Sequence, residues 1–150
     1  MSIVPARTHD MSIWKKVRTP QDLNEFLADS MAGYLGIDFL EIGADYLRAS
    51  MPLSEKTRQN MGFMHGGANV VLAETIGNIA SILCCDEGKT VVGLEINANH
   101  IRPGFSEVTA TARPIHIGRS TMIWEIRIVN SDNKLTCISR FTGAVIDKAE

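Results

Sequence analysis

Glu74 stands in the middle of an apolar run: Val70, Val71, Ala73, Ile76, Ile79, Ala80 and Leu83. A charge buried without a partner is costly, so an acid in this company either has a structural partner or is kept for chemistry. A His65-Gly66-Gly67 step precedes it. Backbone N–H groups at a helix start attract negative charge, and glycine leaves those amides open to a ligand. That combination suits the oxyanion of an acyl transfer, with Glu74 as general base or nucleophile. The plainer alternative is a core helix with one polar seam.

A length argument constrains the chemistry. Gly66 and Glu74 are eight residues apart, about 12 Å on a helix at roughly 1.5 Å per residue. One carbonyl cannot sit about 3 Å from both. Either the pairing is wrong, or the Gly66 and Glu74 of one site belong to two chains.

The apolar steps of three and four predict a helix running from the glycines to Leu83, uninterrupted by proline. Asp86, Glu87 and Gly88 close it, with Gly88 as a C-terminal cap. Gly67, Val70, Glu74, Gly77, Asn78 and Ser81 share one face, small enough for something to approach the backbone closely. Upstream, Thr19-Pro20-x-Asp22 starts a shorter helix; its apolar stripe is Leu23, Phe26, Leu27 and Met31, and Gly33 ends it. Residues 37–42 and 46–51 read as strands around Gly43-Ala44, and 54–64 as a polar loop. After the long helix the chain reads as four long strands, 90–100, 107–116, 121–130 and 135–146. In the third, Met122, Trp124, Ile126 and Ile128 face one way and Glu125 and Arg127 the other. Ser131 to Lys134 make a hairpin turn. One long helix against a long antiparallel sheet is an α+β layer architecture.

The 150 residues suit a single domain with a sizeable core. Fifteen basic against seventeen acidic residues give no field for nucleic acid. No apolar run reaches about 18 residues, which predicts no membrane span, and MSIVPARTHD lacks the apolar core of a signal peptide. Cys84, Cys85 and Cys137 have no metal spacing and read as reduced thiols of a cytoplasmic protein. His9, His65, His100 and His116 are scattered, so no metal is expected.

Three stretches together carry a resemblance: Gln59-x5-His65-Gly66-Gly67-Ala68; Val71-Leu72-Ala73-Glu74-Thr75; and VVGLEINANH from Val91 to His100. With the later His116-Ile117-Gly118, they resemble the hotdog-fold acyl-CoA thioesterases over about Trp14 to Ile146. The branch is the one holding the 1,4-dihydroxy-2-naphthoyl-CoA and enterobactin proofreading thioesterases. The resemblance implies a hotdog domain over residues 14–150 after a tail of 1–13: a long central helix wrapped by a five- or six-stranded antiparallel sheet. It implies a homodimer with shared active sites, assembled as a dimer of dimers. Acyl-CoA would be the substrate, its acyl group aromatic or of medium chain length, with no cofactor beyond the CoA of the substrate itself.

Residue by residue, the resemblance makes Glu74 the catalytic acid and the Gly66 N–H the oxyanion donor. His65 and Gln59 fall beside the thioester carbonyl, though His65 alone also reads as a helix cap and Gln59 as a solvated loop residue. Asn78 stands where the relatives carry a serine that places the attacking water. Gly93, His100, Arg102 and Pro103, with His116, Gly118, Arg119 and Ser120, match the stretches that hold coenzyme A. Arginine suits phosphate by charge and fork geometry. Gly118-Arg119 is nearer the enterobactin type and GLEINANH nearer the naphthoyl type, so no pathway is assigned. The rival readings are a hotdog dehydratase or hydratase, which places its acid and histidine differently, and a non-catalytic acyl-CoA-binding protein.

Overall fold

The computed structural model describes residues 11–149; residues 1–10 of the expected tail lie outside them. The element that organises the rest is α3 (Gly66–Cys84), 19 residues long. It packs on a six-stranded antiparallel sheet in the order β1-β2-β4-β5-β6-β3. The strands are β1 (Asp38–Ile42), β2 (Leu47–Met51), β3 (Lys89–His100), β4 (Val108–Ile117), β5 (Thr121–Asn130) and β6 (Leu135–Asp147). Two short helices, α1 (Pro20–Leu27) and α2 (Met31–Tyr34), precede the sheet. The layer arrangement is the expected one, and the sheet has six strands rather than five.

Period-two patterning sets the face of each strand. Met122, Trp124, Ile126 and Ile128 on β5 are all buried, as their alternation predicts. They join Phe39, Leu47, Phe141 and the α3 residues Leu72, Ala73, Ile76, Ala80 and Leu83 in one core. Each large apolar side chain so buried contributes roughly 1.5–3 kcal/mol relative to exposure. A 19-residue apolar helix could cross a membrane on length and hydropathy, against the expectation from its sequence. Here its apolar residues are packed against the sheet instead.

The small-residue face of α3 divides in two. A Cβ on Gly77 would lie 2.7 Å from Phe141 Cβ, so glycine is what lets helix and sheet touch. Ser81 is buried beside it, donates to the Gly77 carbonyl at 2.8 Å and accepts Trp124 Nε1–H at 2.8 Å. Gly77 and Ser81 therefore serve the core, while Glu74 and Asn78, beside them on the same face, line a cavity.

Three expectations are corrected. The first helix stops at Leu27, and Gly33 lies inside α2 rather than ending a helix; the left-handed residue there is Gly36, at φ 78°. Of its stripe, Leu23 is buried but Phe26 and Met31 are exposed, because α1 and α2 break apart and only Leu23 and Leu27 keep contact with the core. Gly88 does not cap α3. The helix ends at Cys84 with Cys85 extended, and Gly88, at φ 75°, belongs to the turn into β3. The Ser131–Lys134 turn forms as expected, with Asn133 at φ 58°. Ile13, at the end of the expected tail, already donates to the Ala44 carbonyl at 3.0 Å and packs on the core.

Candidate active site

The start of α3 is held from both sides. The Met64 N–H donates to the Gly104 carbonyl and the His65 N–H to that of Thr57, each at 2.8 Å. Thr57 is itself fully buried, its hydroxyl donating to the Pro52 carbonyl at 2.6 Å. His65 is the N-cap: its Nδ1 accepts the Gly67 N–H at 2.8 Å. Nδ1 is thus the acceptor nitrogen, and any proton of the neutral ring sits on Nε2. Gln59 closes the preceding loop, its Oε1 accepting the Met61 N–H at 2.5 Å. The Gly66 N–H has no acceptor among the described residues. It is an open donor at a long helix's positive end, the condition an oxyanion requires.

Gly66 is crowded by one side chain. A Cβ there would lie 2.9 Å from His100 Nε2. His100, Arg102 and Pro103 gather with Gly66, Phe63 and Asn69 around a cavity of about 390 Å³. Asn69 is a residue that motif reasoning passed over. It is 5% exposed, and its Oδ1 is buried without a hydrogen-bond partner. An amide in an otherwise apolar helix was the available signal.

Glu74 lies two turns along the helix, part-buried. No described residue hydrogen-bonds or ion-pairs with its carboxylate. Desolvation by burial pushes its pKa above the ordinary value of 4.5. It opens on a second cavity, about 570 Å³, lined mainly by apolar side chains of α1, α2, α3 and β3, among them Leu27, Met31, Val71, Ile79 and Ile96. Asn78 lines the same cavity, its Nδ2 donating to the Val91 carbonyl at 3.0 Å, which leaves Oδ1 as a free acceptor.

Other expected site residues fall elsewhere. Gly118 and Arg119 border a pocket with Cys84 and Cys85 at the far end of α3, some 27 Å from Gly66 along eighteen helical residues. His116 lies over Gly118, and the Ser120 carbonyl accepts the Val145 N–H at 2.9 Å. Within one chain, then, His100, Arg102 and Pro103 sit at one end and His116, Gly118, Arg119 and Ser120 at the other. Neither Arg102 nor Arg119 has an ion-pair partner among the described residues. Gly93 faces Glu74 rather than either group. Burial pushes the Cys84 thiol up to about 12 and that of Cys137 to about 11, so both are inert. No three His, Cys, Asp or Glu side chains gather as a metal site among the described residues.

A long helix carrying a lone acid, laid on an antiparallel sheet, is the architecture expected of the hotdog fold. The family model of the thioesterase superfamily matches residues 61–137. The chain is 44% identical over 135 residues to the 1,4-dihydroxy-2-naphthoyl-CoA hydrolase of Escherichia coli, covering 89% of this chain and 99% of that one. It is 38% identical over 135 residues to a proofreading thioesterase of Cronobacter turicensis, covering 89% and 98%. A solved thioesterase from Haemophilus influenzae superposes with a TM-score of 0.90 at 49% identity, over 92% of this chain and 97% of that one. The chain belongs to the thioesterase superfamily and is a thioester hydrolase.

Proposed function

We propose that the chain hydrolyses acyl-CoA to the free carboxylic acid and CoA, using Glu74 and the Gly66 N–H. One observation carries this reading. The Glu74 carboxylate has no partner among the described residues, is partly desolvated, and opens on an apolar-lined cavity of about 570 Å³. Two routes use it. As nucleophile, a carboxylate oxygen adds to the thioester carbon, the C–S bond breaks, CoA leaves as thiolate, and water cleaves the resulting anhydride. As general base, the carboxylate takes a proton from water while the hydroxide adds, and that proton passes to the departing sulfur. In both, the Gly66 N–H faces the developing oxyanion. No cofactor is required beyond the CoA of the substrate, and the site of action is the cytosol.

The site is shared between two chains. The roughly 12 Å between Gly66 and Glu74 on one helix supports this, and so does β3. It is a 12-residue edge strand exposing Val92 and Leu94, the kind of edge that a folded protein covers. Pairing of two β3 edges gives a symmetric dimer, and a dimer of dimers gives the tetramer. The cavity lining suits an aromatic or medium-chain acyl group, and the Escherichia coli relative is named for an aromatic one.

Thiol release measured over a panel of acyl-CoAs tests the reading. Turnover of an aromatic or medium-chain member that Glu74→Ala abolishes supports it; a fully active Glu74→Ala protein refutes it. Mixing tests the sharing. Glu74→Ala and Gly66→Pro chains are each expected to be nearly inactive, the second lacking the N–H. After subunit exchange, random pairing makes half the dimers mixed, and about a quarter of wild-type sites return. Folded, exchanging subunits that recover no activity would show that Glu74 works with donors of its own chain.

A further inference from the structure

Gly93 was expected to touch coenzyme A, yet it stands against the acid. A Cβ built on Gly93 would overlap Glu74 Oε1 and lie 3.3 Å from Glu74 Cδ. The strand is irregular at the same place. The β3–β6 register runs without interruption from Lys89 to Gly93, then resumes at Glu95, leaving Leu94 as an extra residue. Such a bulge reverses which residues face inward. Before it Val91 is buried; after it Ile96 and Ala98 pack on the core. The geometry points to Gly93 as a positioning residue for the hydrolysis. With its bulge, it leaves at this point of β3 the space that the Glu74 carboxylate occupies. This rests on Glu74 being the acid of the reaction.

The nature of the clash makes the inference testable. At Gly77 the atoms in the way belong to a core phenylalanine. At Gly93 the atom in the way is the tip of a flexible side chain, so an added methyl group moves the carboxylate and not the fold. Gly93 is exposed within one chain, on the β3 edge that faces the partner in the proposed dimer, so the oligomeric state of the variant is checked alongside its Tm.

Gly93→Ala is therefore expected to keep the wild-type Tm and KM and to lose about 10²-fold in kcat, the scale set by roughly 1 Å of misplacement. A double-mutant cycle separates this from a general loss of fit. Glu74→Asp shortens the acid and draws it back from residue 93, so Gly93→Ala costs clearly less in that background than in wild type. Wild-type kcat in Gly93→Ala, a raised KM with kcat intact, or strictly additive losses in the cycle would each overturn the proposal. If Gly93→Ala stays active while Glu74→Ala is dead, only this inference fails. If Glu74→Ala is active, the reading beneath it fails.

Discussion

The two ends of α3 are built on opposite terms. At the Cys84 end the helix is tied down. Lys15 and Lys16 both donate backbone N–H groups to the Leu83 carbonyl, at 2.8 and 3.0 Å. Trp14 stacks on Trp124, which donates to Ser81, and both cysteines are buried. At the Gly66 end, among the described residues, the N–H is open, Asn69 Oδ1 is buried without a partner, and two turns on Glu74 is partly desolvated and unpaired. Unanswered polar groups at a helix end lower stability. Their concentration at one end means that this fold keeps its stability and its reactivity apart on a single helix.

The sharpest break of that contrast is Glu74→Gln, with kcat expected to fall by about 10²-fold or more. Its stability should move the other way. Below about pH 4.5 the carboxyl is protonated folded and unfolded, so it carries no penalty. As pH rises the unfolded chain ionises first, and stability is lost through the higher folded pKa. Glu74→Gln should thus melt above wild type at pH 7 and level with it near pH 4, by calorimetry. The acid limb of the wild-type kcat profile should likewise fall above the ordinary carboxyl value of 4.5.

At the other end the effects reverse. Trp124→Ala should lower stability in denaturant unfolding by about 3–5 kcal/mol, as for other buried aromatics, with kcat near wild type below its melting range. Between these extremes lie Arg102→Ala and Arg119→Ala. If each contacts a phosphate of CoA, each raises KM by about tenfold, the effect of roughly 1.5 kcal/mol from one charge-assisted hydrogen bond, with kcat intact and the difference shrinking in salt. Unchanged KM in both would remove them from the site. The smallest effect belongs to His65. Replacement by Ala loses the cap, at about 1 kcal/mol, whereas Asn restores it. A His65→Asn protein that melts like wild type but turns over slowly would give the imidazole a role beyond capping.

The sheet was legible because its strands alternate. β5 falls on the residues predicted, and β3, β4 and β6 within a residue of them. The stripe of α1 misled, because helical spacing marks an apolar face without saying what covers it, and Met31 lines a cavity instead of the core. Glu74 and Gly66 were legible by type, an acid among apolar residues and a glycine at a helix start. Their separation could be counted along the helix. Which end Arg119 occupies could not, since the β4–β5 hairpin carries it there through the sheet order. Nor could the placement of Gly93 against Glu74, beside a bulge that no residue type announces.

The stacked pair of indoles has a practical consequence. Trp14 and Trp124 are the chain's two tryptophans, with ring centroids 5.9 Å apart and planes within 4°. Both chromophores therefore report one location, about two helical turns beyond Glu74, where the N-terminal segment docks. Near-ultraviolet circular dichroism should show a coupled-ring signal that vanishes when that segment lifts, before the sheet melts. Intrinsic fluorescence reports that location and the neighbouring Arg119 end, so occupancy of the Glu74 cavity is read from the ligand's absorbance or from the released thiol.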